Sequence, residues 1–459
     1  VFSLSACTFR DALQLPFQKY RAAPDFTKSG TAALKAKWWR AFDDDKLDAH
    51  IKAALQNNFS LAASWQRLKA AQAVKRRASS DLLPALDIAA SGERQVEDGS
   101  DFARDNLSLG PEAAYELDLW GRIDAGVDAQ RLRARASRAD YRTAALTLSG
   151  DVALTWYRLI EAHNQLDLLK RQIATNEKVL KVLKTRFGAG QVRSQDILRQ
   201  RLLIEELREN VLSQERRIQV LEHQLAVLRG QPPQGFKTEI SRNMPALPEK
   251  PDAGTPAELI QRRPDVRRAY YHLKAADQEL AAAIRDQFPR LTLSASYISE
   301  AQTAANLFSN WLATFGASML APVFDGFRHR AEIDRTQAVR HQRLNDYGQI
   351  VLTAFKDVED ALIKEQKQAE RITNLEKRLS LAGDTYKQIR VGYFNGANDF
   401  IAMLEALNDK QQIARDLLSA RQARIEARIA LYRALAGGFA TPREDNIQKD
   451  DPQDDETET

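Results

Sequence analysis

Residues 159–190 read LIEAHNQLDLLKRQIATNEKVLKVLKTRFGAG. The apolar side chains step by three and four. Leu159, Leu166, Leu169, Ile173, Leu180, Leu183 and Phe187 share one seam, with Ala162 and Asn176 in its gaps. That is coiled-coil spacing. Gly188, Ala189 and Gly190 then close the helix, since glycine takes the positive φ of a helix end without steric cost. The periodicity resumes in Ile204, Leu207, Val211, Ile218, Leu221, Leu225 and Leu228, with Gln214 in the gap. The stretch is therefore the arm and tip of an antiparallel helical hairpin. No proline falls in 112–231 or in 323–441, as uninterrupted helices require. A helix from about 125 to 187 would be ~95 Å long and must pack against equally long neighbours.

The same text occurs twice. Leu166, Leu169, Ile173, Leu180, Leu183, Phe187, Gly190 and Leu198 return 206 positions later as Ile372, Leu375, Leu379, Tyr386, Ile389, Tyr393, Gly396 and Leu404. Upstream the offset is 205: Leu68-Lys69-Ala70-Ala71 returns as Leu273-Lys274-Ala275-Ala276, and Pro84 as Pro289. Two copies are too few for a solenoid, so the halves are expected side by side about a pseudo-symmetry axis. The second tip is Tyr393-Phe394-Asn395-Gly396.

Before each long helix the period changes to two. Leu107, Leu109, Ala113, Tyr115, Leu117 and Leu119 share one parity against Ser108, Gly110, Glu112, Glu116 and Asp118. Trp311, Ala313, Phe315, Ala317, Met319, Ala321 and Val323 alternate likewise, as do Leu291, Leu293, Ala295 and Tyr297, and more weakly Leu86, Ile88 and Ala90. Each copy thus carries two strands of about a dozen residues with one apolar face, long enough to cross a bilayer when tilted. In lipid an unpaired strand edge is not tolerated, and four strands cannot enclose a channel. Either several chains close one barrel, or the four strands form a small soluble sheet on a coiled coil.

The 459 residues hold no apolar run near the ~20 residues of a spanning helix. With 67 basic and 62 acidic side chains the net charge is only +5, the mark of long solvated helices and not of a nucleic-acid footprint. The six histidines are scattered, no phosphate-cradling loop or catalytic constellation is visible, and no metal site is expected. The one cysteine, Cys7, closes Leu4-Ser5-Ala6-Cys7. This tetrapeptide resembles a bacterial lipoprotein signal; the other reading is a free thiol in a frayed terminus.

Strand, strand, long helix, glycine turn and returning helix, all repeated, resemble the outer membrane efflux protein (TolC-like) family. Trp38-Trp39-Arg40-Ala41-Phe42, Tyr115-Glu116-Leu117-Asp118-Leu119-Trp120-Gly121-Arg122, Arg262-Arg263-Pro264-Asp265-Val266 and Pro322-Val323-Phe324-Asp325-Gly326 are similar to its lipoprotein branch. The resemblance implies an α+β membrane protein. A homotrimer would form an open 12-stranded outer-membrane β-barrel, four strands per chain, continuous with a long periplasmic α-helical barrel. It would serve a tripartite efflux pump of a Gram-negative bacterium as a passive conduit without a cofactor. A covalent lipid is expected on Cys7. The implied partners are a periplasmic adaptor (membrane fusion) protein, an inner-membrane transporter of the RND type and outer-membrane lipid.

The resemblance also assigns sites. Ile401 and Glu405, four apart on one helix face, match the positions that narrow the periplasmic end, with Asp399 a weaker candidate. Leucine and aspartate are common there in the family. Phe187, Gly188, Ala189, Gly190, Tyr393, Asn395 and Gly396 would dock the adaptor. Pro84, Asp118, Gly121, Pro289, Asp325 and Gly326 are read as structural strand–helix junctions. The expected order is a signal remnant (1–6), a lipidated extended segment (7–45), a first repeat of helix, two strands and hairpin (46–230), a proline-rich linker (231–255), a second repeat (256–438) and a disordered acidic tail (439–459). A soluble coiled-coil tether, a protein-secretion channel, and a hydrolase around Asp43-Asp44-Asp45 are the alternatives; that acidic run reads better as a helix start.

Overall fold

The computed structural model describes residues 26, 29–96, 103–240, 244–436 and 438–444. Cys7 lies outside them. Eight helices and four strands follow in the order α1 (Asp45–Asn57), α2 (Phe59–Ser80), β1 (Ala85–Val96), β2 (Ala103–Leu117), α3 (Arg122–Gly188), α4 (Ser194–Leu228), α5 (Pro256–Arg262), α6 (Pro264–Arg285), β3 (Arg290–Ala301), β4 (Trp311–Leu320), α7 (Arg328–Phe394) and α8 (Phe400–Leu435). The duplication holds to the residue. α2 and α6 are 22 residues each at an offset of 205, and α3 and α7 are 67 each at 206. One helix was expected before the first pair of strands. There are two, because Asn58 ends α1 by donating to the Leu228 carbonyl and opens α2 by accepting from Leu61 N–H.

The chain forms two units, to both of which α3 and α7 contribute. The first holds the sheet. Its order is β1-β2-β3-β4, antiparallel throughout. The register puts Leu86, Ala113, Ala295 and Phe315 in one row and Asp87, Glu112, Ser296 and Thr314 in the next. The alternation read from the sequence is therefore one continuous apolar face and one polar face. Nothing among the described residues covers the former: Phe315 is 83% exposed. Below the strands, alanine coats the buried helix faces (Ala125, Ala129 and Ala136 on α3; Ala275 and Ala276 on α6), so backbones approach closely. Trp65 packs on Tyr141, and Arg268–Asp140 and Arg340–Asp277 pairs lie beside them.

The second unit is the rest of the helical part. Its aromatic core collects Trp38, Phe42, Tyr157 and Tyr432, with Trp38 stacked 5.7 Å from Tyr432. Residues 7–45 were expected to be extended. Instead Trp38–Phe42 is a 3-10 turn with both tryptophans and the phenylalanine buried, because three large rings gain more from this core than an extended strand would give them. The acidic run does start a helix. One oxygen of Asp44 accepts from Lys46 and Leu47 N–H, and the other from the Trp156 indole at 2.9 Å. The linker is held by buried Arg428, which pairs with buried Glu365 and donates to the Pro248 and Glu249 carbonyls.

The tail also departs from expectation. Residues 439–444 are ordered: Phe439 lies 4.8 Å from Trp39, Arg443 donates to the Gln56 carbonyl and Glu444 pairs with Arg142. Counting charge over the whole tail hid one phenylalanine that belongs to the core. Residues 445–459 lie outside the described part.

Candidate functional site

The two hairpin tips are built alike. At the first, Gly190 N–H donates to Phe187 O and Gln191 N–H to Arg186 O, both at 2.9 Å. At the second, Gly396 donates to Tyr393 O and Ala397 to Gly392 O at 2.8 Å. Each bond recurs 206 positions on. Gly190 and Gly396 have φ of +69° and +77°, so any side chain there would strain the turn. The returning helices are capped by different halves of one device. Asp196 accepts from Arg193 N–H ahead of α4, while Asp399, the residue before α8, accepts from Ala402 N–H at 2.9 Å.

The tips meet in an apolar cluster of Leu183, Tyr393, Phe400 and Met403, joined by Val179, Ile197, Ile389 and Leu404. Arg186 covers it, 5.0 Å from the Tyr393 ring and 5.4 Å from Phe394. Two expectations change here. Tyr393, expected on a docking surface, is 7% exposed and belongs to this cluster, because the α7 seam carries it inward. Phe187, expected in the α3 seam, is 48% exposed, because it stands in the last turn of α3, where the seam runs out. Gly188, Ala189, Asn395 and Gly396 lie at the surface.

Ile401 and Glu405 lie side by side on α8, opposite buried Phe400, Met403, Ala406 and Leu407. Ile401 is 38% exposed and Glu405 is exposed. Asp399 is engaged as the cap just described.

Above the tips α3 and α8 are joined by polar side chains. Gln172 Nε2 donates to Gln411 O at 3.0 Å, Asn176 Nδ2 to Gln411 Oε1 at 3.2 Å, and Gln200 Nε2 to Asn176 Oδ1 at 2.9 Å. Arg415 donates to Gln172, and Gln165 to Arg415 O and Ser419. Only Asn176, a polar residue in a seam gap, signalled this set in the sequence.

At the strand–helix junctions Asp118 accepts from Asp124 N–H and Asp325 from His329 N–H, each at 2.8 Å. The His329 bond also holds the Asp325 carboxyl below the usual carboxylate range. Pro84 and Pro289 stand immediately before β1 and β3. Gly121 and Gly326 are not in register: α3 and α7 align at 206, so the counterpart of Gly121 is Phe327. Between the proline and the long helix the second copy has one residue more than the first, and both Gly326 and Phe327 have positive φ, 66° and 69°. The junctions of the two copies are tied together: Trp120 Nε1 donates to Pro289 O and Arg285 to Gly121 O, both at 2.7 Å.

A duplicated chain with an uncovered apolar sheet face and two long hairpins defines a channel-type outer-membrane protein. The chain belongs to the outer membrane efflux protein family, which matches residues 50–231 and 255–437. It is 32% identical to the pyoverdine export outer membrane protein OpmQ of Pseudomonas aeruginosa, over 90% of each chain. It is 28% identical to the solvent efflux pump outer membrane protein SrpC of Pseudomonas putida, over 92% of this chain and 91% of that one. Its fold is that of the outer-membrane channel OprN, with a TM-score of 0.86 and 24% identity over 91% of this chain and 97% of that one. The protein is thus an outer-membrane efflux protein. The family consists of transport conduits and not enzymes, and membership sets aside the soluble tether. Among the described residues no helix is long and apolar enough to cross a membrane.

Proposed function

We propose that three copies of this chain form the outer-membrane conduit of a tripartite efflux pump. The observation that carries the reading is the sheet. Among the described residues β1 and β4 each have a neighbour on one side only, and the apolar face lies bare. A single copy would leave two open edges in hydrocarbon. Twelve strands from three copies close a barrel with the apolar face to lipid and the polar face to water. The helices point the same way. α4 exposes Leu198, Leu202, Leu212, Val220 and Val227, and α7 exposes Leu352, Ile363 and Leu381. These are stripes that neighbouring copies would cover to make a tube.

In that assembly Ile401 and Glu405 recur three times around the axis and form the periplasmic gate. Three close carboxylates attract cations. The exposed tip residues Phe187, Gly188, Ala189, Gly190, Asn395 and Gly396 meet a periplasmic adaptor, which links the conduit to an inner-membrane transporter of the RND type. A lipid on Cys7 anchors the chain to the membrane. The exported substrate is chosen by the transporter; pyoverdine and solvents are the cargo of the relatives named above.

Planar-bilayer recordings of the purified protein test the reading, alongside its mass in detergent. Trimers that conduct are expected. Monomers that leave the bilayer silent would overturn it.

A further inference from the structure

The two hairpins share a backbone but not a charge. Residues 170–201, around the first tip, carry nine basic and two acidic side chains. The matching segment 206 positions on, 376–407, carries four of each. Duplication therefore kept the turn and moved seven charges onto one copy.

Much of this charge is not neutralised among the described residues. Arg171, Lys178, Lys181, Lys184, Arg199 and Arg201 are exposed, and none takes part in the ion pairs found among the described residues. The two carboxylates nearby are occupied. Asp196 is buried and caps α4, and Glu177 pairs with Arg208 at 3.1 Å. On the second hairpin Glu376 pairs with Arg421 at 2.9 Å.

Helix dipoles explain only part of the bias. Lys178, Lys181 and Lys184 lie in the last turns of α3, where cations are favoured. Arg193, at the N-cap of α4, stands where the dipole disfavours a cation, and Arg199 and Arg201 lie one to two turns further on, where the dipole neither favours nor explains them. At the start of α8 the corresponding stretch has Asp399 and no basic residue before Lys410. Like charges three residues apart on one helix also repel by a few tenths of a kcal/mol per pair. This part of the chain is held against its own electrostatics, and an external negative surface would relieve it. Phe187 stands exposed at the tip beside the basic groups, giving an apolar centre with a charged rim, as in a protein interface.

We infer that the first hairpin is an electrostatic docking face for an acidic surface of the adaptor, and that the second hairpin engages the adaptor without this charge term. The inference rests on the proposal that the tips meet an adaptor. It adds which tip is recognised by charge and the chemistry of the partner's contact. Rim charges of this kind govern association rate and salt dependence.

The test uses the full chain in detergent, immobilised on a biosensor, and the purified adaptor that restores efflux with it in cells. Binding is measured at about 50 and about 300 mM sodium chloride. The parent should weaken about tenfold between the two. Lys178→Glu/Lys181→Glu/Lys184→Glu should lose about tenfold at low salt and most of the salt dependence. Lys387→Glu/Arg390→Glu, on the second hairpin, should stay within about twofold. The triple Lys→Gln variant, read alongside, covers the case in which charge reversal prevents assembly, and should give a smaller loss in the same direction. Unchanged adaptor affinity in both triple variants overturns the inference, as does an equal loss from both hairpins. A loss confined to vesicles rich in phosphatidylglycerol would assign the charge to a membrane surface. A changed ion preference in planar bilayers with adaptor affinity intact would assign it to the wall of the conduit. An adaptor that binds the parent at neither salt removes the docking proposal itself, a different result from binding that ignores charge.

Discussion

The guanidinium of Arg186 lies 5.0 Å from the centre of the Tyr393 ring, so the last turn of α3 grips the last turn of α7. Cation–π contacts of this kind are worth about 1 kcal/mol when partly exposed. Arg186→Ala should therefore loosen the pairing of the tips without unfolding either arm. Amide exchange at Gly396, Ala397 and Ala402 is expected to rise about fivefold, and the channel to open more often in bilayer recordings. Exchange unchanged at all three amides would show that the apolar cluster holds the tips alone.

Glu405 is exposed. If three copies ring the axis, Glu405→Gln should reduce the preference for cations over anions and leave the amount of assembled protein unchanged. Reversal potentials under a salt gradient read this directly. A preference equal to that of the parent removes Glu405 from the gate.

Asp44 does two jobs, capping α1 and accepting from the Trp156 indole. Asp44→Ala loses the cap and leaves a buried donor without a partner, an expected cost of about 2–3 kcal/mol. Asp44→Asn keeps an acceptor and should cost less than half of that. Thermal unfolding of the two variants in the same detergent gives the comparison.

His50 is buried between the Trp156 ring, 4.7 Å away, Arg229 and Thr238. Burial first, and the Arg229 charge next, lower its pKa from 6.5 to about 4. The unfolded chain therefore binds a proton at this site between about pH 6.5 and 4, where the folded chain does not. Stability from this group is complete above that window and falls as the pH drops through it, by at most about 3 kcal/mol. The parent should lose more thermal stability than His50→Gln between pH 7.5 and 5. Parallel curves would show that His50 titrates normally.

Much of the fold is written in local periods. Leu159, Leu169 and Leu183 are buried as their three-four spacing requires, and the two-residue alternation of Leu291–Tyr297 falls on one sheet face. Site residues were legible where backbone conformation demands a residue type, as at Gly190 and Gly396. They were not legible where contact with a distant segment decides. Arg186, Gln172, Gln411 and Arg415 look like solvated helix residues in the sequence. Nothing in the local spacing of Tyr393 reveals that Leu183 and Phe400 pack around it.

What the sequence determined by itself is the repeated list of elements and which face of each is apolar, because helix and strand periods act over a few residues and glycine marks their ends. Tertiary structure alone decided the partners of those faces. It chose that Trp38 and Phe439 join the core and that glutamines join α3 to α8. Such choices turn on contacts between residues a hundred or more positions apart, where neither spacing nor composition carries information.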